Sequence, residues 1–400
     1  RLANENDVKI GGVGDTAGGV GCADYDNDGD LDLFWKNADP DIDNALFRNE
    51  GNWRFVDVTA SAGVALQGKL KDSNAQGSPN WVDFDEDGRI DLLVTNERDS
   101  KVLFRNMGDG RFEDITRARR PPNGLPFLNP GNAQGACIAD FDHDGDMDVF
   151  LPMADQAGRM IANRLRERGT LAFEDITARS GAGVVRGTRG CVAADFDNDG
   201  HVDLYLNNGG PSNVLINDVI SDFPPFVQFY IAWEPAENTL LRNRGDGTFE
   251  DVTRGSGAEG LGIGSGVGAA DLNDDGFADL FGTERTYYAM GKQVSTQAGR
   301  TRLLVNRANR NGWLKVALEG KRSPRTPFGA RVTVVAGDLV QHQVLQSAHG
   351  YNSTNDPVMI FGVGSRATVD RVEVRWPSGA VQVIEKPALR QTLRIVEAGP

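Results

Sequence analysis

One nine-residue pattern recurs five times in this chain and limits what it can fold into. "DYDNDGDLD" begins at Asp24, "DFDEDGRID" at Asp83, "DFDHDGDMD" at Asp140, "DFDNDGHVD" at Asp195 and "DLNDDGFAD" at Asp271. The shared form is D-x-[DN]-x-D-G-x-x-D, and a short apolar run follows it. Carboxylates this close repel one another, so a turn built this way needs a cation. Oxygen ligands at positions 1, 3, 5 and 9, with a backbone carbonyl from position 7, suit a hard ion such as calcium, and the Gly at position 6 permits the sharp turn. A solvated acidic turn is the plain alternative for one copy. Five copies with the same offsets argue against it.

The ligand sets follow by position. The first loop offers Asp24, Asp26, Asp28 and Asp32, with the Asp30 carbonyl. The second offers Asp83, Asp85, Asp87 and Asp91, with Arg89. The third offers Asp140, Asp142, Asp144 and Asp148, with Asp146. The fourth offers Asp195, Asp197, Asp199 and Asp203, with His201. The fifth offers Asp271, Asn273, Asp275 and Asp279, with Phe277. Asn273 removes one charge, so the fifth site is expected to be the weakest of about five Ca2+ sites. An EF-hand would need Glu at position 12 and flanking helices. Here position 12 is Trp35, Val94, Leu151, Leu206 or Gly282, and runs such as "IDLLV" read as buried strands. Each loop is therefore expected to join two strands.

The loops hold 19 carboxylates at positions 1, 3, 5 and 9 in a chain of 400 residues with net charge −15. Five bound dications would cancel two thirds of that charge, so the acidity is site chemistry rather than a solvated tail. No basic stripe is present, which speaks against nucleic acid as a partner. No apolar run of 18 residues occurs, so no membrane span is expected. Cys22, Cys137 and Cys191 each precede a loop on its entering strand. They read as buried apolar residues, and an odd count excludes a fully paired framework. A calcium-rich compartment implies an extracellular or periplasmic protein whose leader has been removed.

Two further motifs keep the same beat. "FVDVT" lies at 55, "FEDIT" at 112 and 173 and "FEDVT" at 249, and the first, second and fourth of these are preceded by "LFRNEGN", "LFRNMGDG" and, at 240, "LLRNRGDG". Each unit thus reads as strand A, calcium loop, strand B, strand C, a Gly turn and strand D. Four antiparallel strands per unit make a β-propeller blade. Five loops imply five visible blades, with six or seven open. The fifth unit lacks an "FxDVT" strand, and the N-terminal "NDVKI" is a candidate to close the ring. Residues 311–400 alternate in about seven strands with Gly/Pro turns, which fits a small β-sandwich.

Residues 15–306 resemble the FG-GAP/VCBS repeat family of calcium-binding propellers, known from integrin α-subunits and many bacterial secreted proteins. "NGWLKVALEG", "GARVTVVAG", "HGYNSTNDP", "IFGVG" and "VDRVEVRWPSGAVQ" resemble the ASPIC/UnbV domain. The pairing is similar to the cartilage acidic protein 1-like family of bacterial type. The resemblance implies an all-β chain divided into a propeller, 1–310, and an ASPIC/UnbV unit, 311–400.

Long insertions fall in the B–C and D–A connections, on the face opposite the calcium loops. The stretch "FPPFVQFYIAWEP" carries Phe223, Phe226, Phe229, Tyr230 and Trp233, a candidate partner surface; its plain alternative is a satellite core or a dock for the C-terminal domain. Lys69, Lys71, Arg119, Arg120 and Glu284 on that face read as scattered surface charge. His143 and His201, at loop positions 4 and 7, are expected to face solvent. No HExxH, GxSxG or Walker pattern occurs. The expected function is a secreted, calcium-stabilised scaffold for binding, adhesion or assembly, with a protein, a glycan or its own copies as partner. The alternative is an enzyme on the same face, a polysaccharide lyase or a natural-product cyclase.

Overall fold

A computed structural model describes residues 17–37, 43–66, 77–96, 101–118, 131–184, 187–211, 233–284, 288–289, 292–293 and 300–399. The chain is all-β. Sheet one orders Ala17–Ala23, Asp32–Asn37, Ala45–Asn49 and Phe55–Asp57 as strands A to D. Sheet two repeats this with Pro79–Val82, Asp91–Val94, Val102–Asn106 and Phe112–Asp114, and sheet three with Cys137–Ala139, Asp148–Leu151, Arg159–Asn163 and Phe173–Asp175. Sheet four uses Thr188–Ala194, Asp203–Pro211, Thr239–Asn243 and Phe249–Asp251, extended by Trp233–Glu237 and Leu261–Gly262. Sheet five holds Gly264–Ala270, Asp279–Glu284 and Thr301–Leu304. All five loops join strands A and B, as the absence of a position-12 carboxylate implies. Sheet five has no strand D among the described residues; "NDVKI" lies outside them.

The alternation of each strand serves two neighbours at once. In sheet two, Trp81, Leu92 and Phe104 face sheet one, where they meet Phe34 and Leu46. Val82, Leu93 and Leu103 face the other way, onto Val149 and Ile161 of sheet three. The same division joins sheets three to four and four to five. Each such side chain, fully buried, contributes about 1.5–3 kcal/mol, so a one-residue slip in any sheet would expose two interfaces.

The F-x-D-[VI]-T motif closes sheets one to four. Asp57 Oδ1 accepts the Thr59 N–H and hydroxyl, and Thr59 Oγ1 accepts the Leu46 N–H of strand C. Thr177 and Thr253 do the same for Met160 and Leu240. The motif's Phe packs on the preceding unit's loop: Phe112 on Tyr25, Phe173 on Phe84 and Phe249 on Phe141, with ring centroids 5.5, 5.7 and 5.8 Å apart.

The C-terminal segment forms seven strands in two sheets. One orders Met359–Gly364, Gly312–Glu319 and Thr392–Val396, the last pair parallel. The other orders Leu339–Val344, Arg331–Ala336, Arg371–Arg375 and Val381–Glu385. Leu314, Val332, Val334, Phe361 and Trp376 fill the space between them. This unit sits on the face of the acidic A–B loops. Trp313 lies against Gly276, where any Cβ would strike the indole, and Arg331 pairs with Glu86. From it, residues 345–356 run across the A strands. Ser347 Oγ accepts the Cys22 N–H, Gln346 Nε2 donates to the Ile138 carbonyl, Gly350 bridges Ala136, and Asn355 Oδ1 accepts the Ala269 N–H. The A strands of sheets one, three and five thus converge on one strap, and Gly350 rests on Cys191 of sheet four.

One expectation is corrected here. Cys137 and Cys191 are not merely apolar filling: they form a disulfide between the A strands of sheets three and four, and Cys22 is the free thiol. The odd count excluded full pairing but not one bond between strands brought side by side. The bond closes a 54-residue span, which corresponds to about 2–4 kcal/mol of stability. Alkylation of the unfolded, unreduced chain should label Cys22 alone, and labelling of three thiols would show that the bond does not form.

Candidate metal centres

The loop conformation is set by its own first carboxylate. Asp24 accepts the N–H groups of Asp28 and Gly29, both at 3.0 Å. Asp83, Asp195 and Asp271 hold the same two backbone groups of their loops. Gly29, Gly88, Gly145, Gly200 and Gly276 all have φ between 88° and 103°, a region other residues avoid.

The ninth position fastens the loop to strand C. Asp32 Oδ2 accepts the Tyr25 N–H and Oδ1 the Asn49 N–H. Asp91, Asp148, Asp203 and Asp279 repeat both bonds, the second to Asn106, Asn163, Asn243 and Asn306. These asparagines are residues whose role the sequence reading missed. Each donates Nδ2 to a carbonyl of the preceding unit's loop: Asn106 to Tyr25, Asn163 to Phe84, Asn243 to Phe141 and Asn306 to Phe196, at 2.7 to 2.9 Å. The signal was the Asn closing each strand C before a turn. Its neighbouring Arg has a second task. Arg105 Nε meets Asp85 Oδ2 at 2.6 Å and Arg164 Nη1 meets Asp142 Oδ2 at 3.0 Å, so a guanidinium covers the outer side of position 3.

Asp24, Asp26 and Asp32 bring one oxygen each within 4.8 Å of one another, as do Asp83, Asp85 and Asp91, Asp140, Asp142 and Asp148, and Asp195, Asp197 and Asp199. Asp144, Asp146 and Glu167 form a further group beside the third loop. The residues fit a cation. Asp85 Oδ1, Asp140 Oδ1, Asp142 Oδ1 and Asp144 Oδ2 are buried and have no hydrogen-bond partner. A buried, donorless carboxylate oxygen is costly unless an ion meets it, and an all-oxygen donor set selects a hard divalent ion. The fifth loop differs. Asn273 Nδ2 donates to Asp275 Oδ2, and Lys315 of the C-terminal unit reaches Asp271 Oδ2 at 2.8 Å and also pairs with Asp274.

Position 4 of the second, third and fifth loops, Glu86, His143 and Asp274, meets the C-terminal unit, and Gly200 beside His201 lies against Leu339 of that unit. The expectation that His143 and His201 point to solvent is therefore wrong. His143 Nε2 lies 2.6 Å from His201 Nδ1, and His143 Nδ1 lies 3.2 Å from the Val340 carbonyl. Adjacent loops bring the two rings together, and the C-terminal unit covers them. Glu284 is also no surface charge: its side chain is buried and bonded to Arg302 Nε. Phe223, Phe226, Phe229 and Tyr230 lie outside the described residues, as do Lys69, Lys71, Arg119 and Arg120. Trp233 opens the strand Trp233–Glu237, which pairs with Gly209–Pro211.

Residues 24–94, 83–151 and 228–282 match the FG-GAP-like repeat, and residues 320–400 match ASPIC and UnbV. Cartilage acidic protein 1 of Xenopus tropicalis is 26% identical over 73% of this chain and 40% of its own length. Human cartilage acidic protein 1 is 26% identical over 72% of this chain and 39% of its own. The chain therefore spans about 40% of the length of these curated relatives. Among solved structures, sucrose-6-phosphate hydrolase from Lactobacillus gasseri is 12% identical and covers 94% of this chain and 88% of its own. Its TM-score of 0.34 is too low to carry an argument.

Without a cation, burial pushes Asp24 up to about 6, Asp83 to about 7 and Asp32 to about 8, and holds Asp91, Asp140, Asp148, Asp195 and Asp203 well above the usual range. A carboxyl whose folded pKa exceeds its unfolded value favours folding when protonated. That contribution is complete at low pH and is lost as pH rises through the folded pKa. The chelated protein should therefore lose thermal stability between about pH 5 and 8, and saturating calcium should abolish the loss. A chelated melting temperature that is flat or rises over this interval would contradict the assignment.

Proposed function

From a chain built of FG-GAP-like repeats followed by an ASPIC and UnbV domain, we propose a calcium-stabilised scaffold that binds its partner on the face opposite the metal loops. The proposal takes residues 1–310 as the propeller and 311–400 as the ASPIC/UnbV unit. Calcium is structural in this reading: about five loops, with the ligand sets given above, hold the ions and transmit their stabilisation through the Asn bridges to the next sheet. The partner is a protein or a glycan.

One observation carries the reading. The loop face is already occupied, because the C-terminal unit lies across it and the 345–356 strap fills the convergence of the A strands. The opposite face, where the B–C and D–A connections emerge, is left for partners, and connections on a rigid scaffold are where recognition residues collect. The chain's four histidines support a binding rather than a catalytic role for that face. His143, His201 and His342 cluster at the junction with the C-terminal unit, and His349 pairs with Ser353 within the strap. General acid–base chemistry on the open face would have to do without them. No helix among the described residues is long and apolar enough to cross a membrane. An extracellular or periplasmic location is part of the proposal. The Cys137–Cys191 bond needs an oxidising compartment, and a hard-cation scaffold suits millimolar calcium.

Replacing residues 220–232 by a short Gly/Ser turn, which spares the strand Trp233–Glu237, tests the binding face. The loop-closure term changes by only about 0.6 kcal/mol per doubling of length, so calcium-dependent folding should survive. Capture of the native partner, identified by pull-down with the unaltered protein, should be lost. A shortened protein that captures the same partner would show that the insertion is not the contact.

A further inference from the structure

Four of the acidic loops draw a covering positive charge from their own unit, and the fifth draws it from the C-terminal unit. Arg105 and Arg164 of strand C bond to the position-3 carboxylates Asp85 and Asp142. The charges of Arg48 and Arg242 act on Asp26 and Asp197 from the same side. The fifth unit has Val305 before Asn306, where Arg48, Arg105 and Arg242 precede their asparagines. Position 3 of its loop is Asn273, whose Nδ2 donates to Asp275 Oδ2. Three ligand carboxylates remain, Asp271, Asp275 and Asp279, and the cation that meets them is Lys315, on the C-terminal strand Gly312–Glu319.

Lys315 grips a ligand rather than the rim of its loop. Elsewhere the C-terminal unit meets outer positions. Arg331 pairs with Glu86 and the Val340 carbonyl meets His143, both at position 4, while the Arg322 carbonyl and Leu339 lie against Gly29 and Gly200, both at position 6. Gly362 lies against Asp195 but brings no charge. Lys315 Nζ lies 2.8 Å from Asp271 Oδ2 and also pairs with Asp274. Among the described residues it forms the one ion pair between this unit and a ligand carboxylate. The side chains of Lys315 and Asp271 are 7% and 4% exposed, so salt screens the pair little. Asp271 Oδ2 also accepts the Gly276 N–H at 2.8 Å, so the same carboxylate folds the loop and holds the C-terminal unit.

We propose, on the calcium reading of these loops, that Lys315 is a built-in competitor of calcium at the fifth loop, so that filling this loop loosens the C-terminal unit. An ammonium bonded to Asp271 repels a dication held by the same carboxylate. Lys315 therefore lowers the calcium affinity of the loop while the unit is docked, and by reciprocity a filled loop weakens the hold of Lys315. The other four loops carry their covering charge within their own unit and fill without disturbing that contact. The fifth loop fills last, and its filling is felt at the domain interface.

Trp313 supplies the means to follow this one site, because its indole lies against Gly276 of the fifth loop. Terbium, a calcium surrogate whose luminescence is excited through a nearby indole, is titrated into the calcium-depleted full chain. Trp313→Phe is made in each background. Emission lost with Trp313 reports the fifth loop, and emission that survives, through indoles such as Trp376 beside Asp24, reports the others. The Trp313-dependent signal should saturate at higher terbium than the rest. Lys315→Met should lower its midpoint about tenfold or more and leave the surviving emission in place, whereas Lys315→Arg should keep it high. In the unaltered chain, acetylation of Lys315 read by mass spectrometry should rise over the calcium range that fills the fifth loop and not over the range that fills the others. An unchanged midpoint in Lys315→Met overturns the proposal, and so does a Lys315 that stays protected when the fifth loop is full. Failure of the surviving emission to saturate would overturn the calcium reading itself, and the proposal with it.

Discussion

Buried carboxylates that face one another cannot stay charged without a counter-ion, and the repeat is organised around that constraint. Each loop gathers up to four of them, and the second and third loops hold donorless oxygens such as Asp85 Oδ1, Asp140 Oδ1 and Asp142 Oδ1. The carboxylates also carry the local structure. Position 1 folds the turn, and position 9 binds the N–H of position 2 and the N–H of the strand-C asparagine. That asparagine then reaches the preceding loop. A cation that satisfies one loop therefore stabilises the junction between two sheets, and removing it strains both.

The junction extends to the C-terminal unit. Loop residues at position 4 sit at positive φ, where Glu86 and His143 project toward Arg331 and Val340. The conformation that aims ligands inward also presents this outer row. The strap at 345–356 completes the arrangement by bonding to the A strands that enter the loops. Acidic loops, sheet interfaces and domain contact thus share the same short segments.

Much of this was legible in the sequence because the loop motif carries its own geometry. D-x-[DN]-x-D-G-x-x-D states a ligand order and a turn, and the F-x-D-[VI]-T beat gives four strands per unit. The gap after Leu304, where no such motif follows, was readable too. What was not legible depends on neighbours distant in sequence. Asn106 looks like an ordinary strand-end residue until the Tyr25 carbonyl, 81 positions earlier, is placed beside it. Cys137 and Cys191 become partners only once adjacent units align their A strands. His143 and His201 belong to separate loops, and no pattern within either loop shows that a third element covers them. The side on which the C-terminal unit docks likewise follows from contacts such as Lys315 with Asp271, for which local spacing gives no signal.

The most direct test of the central claim is anomalous difference density at the calcium loops in crystals grown with calcium. Peaks coordinated by positions 1, 3, 5 and 9 are expected at the loops beginning at Asp24, Asp83, Asp140 and Asp195. A weaker peak is expected at Asp271, where Asn273 and Lys315 reduce the negative charge. Loops that keep this conformation in calcium-saturated crystals with no ion at any of the five would contradict the account.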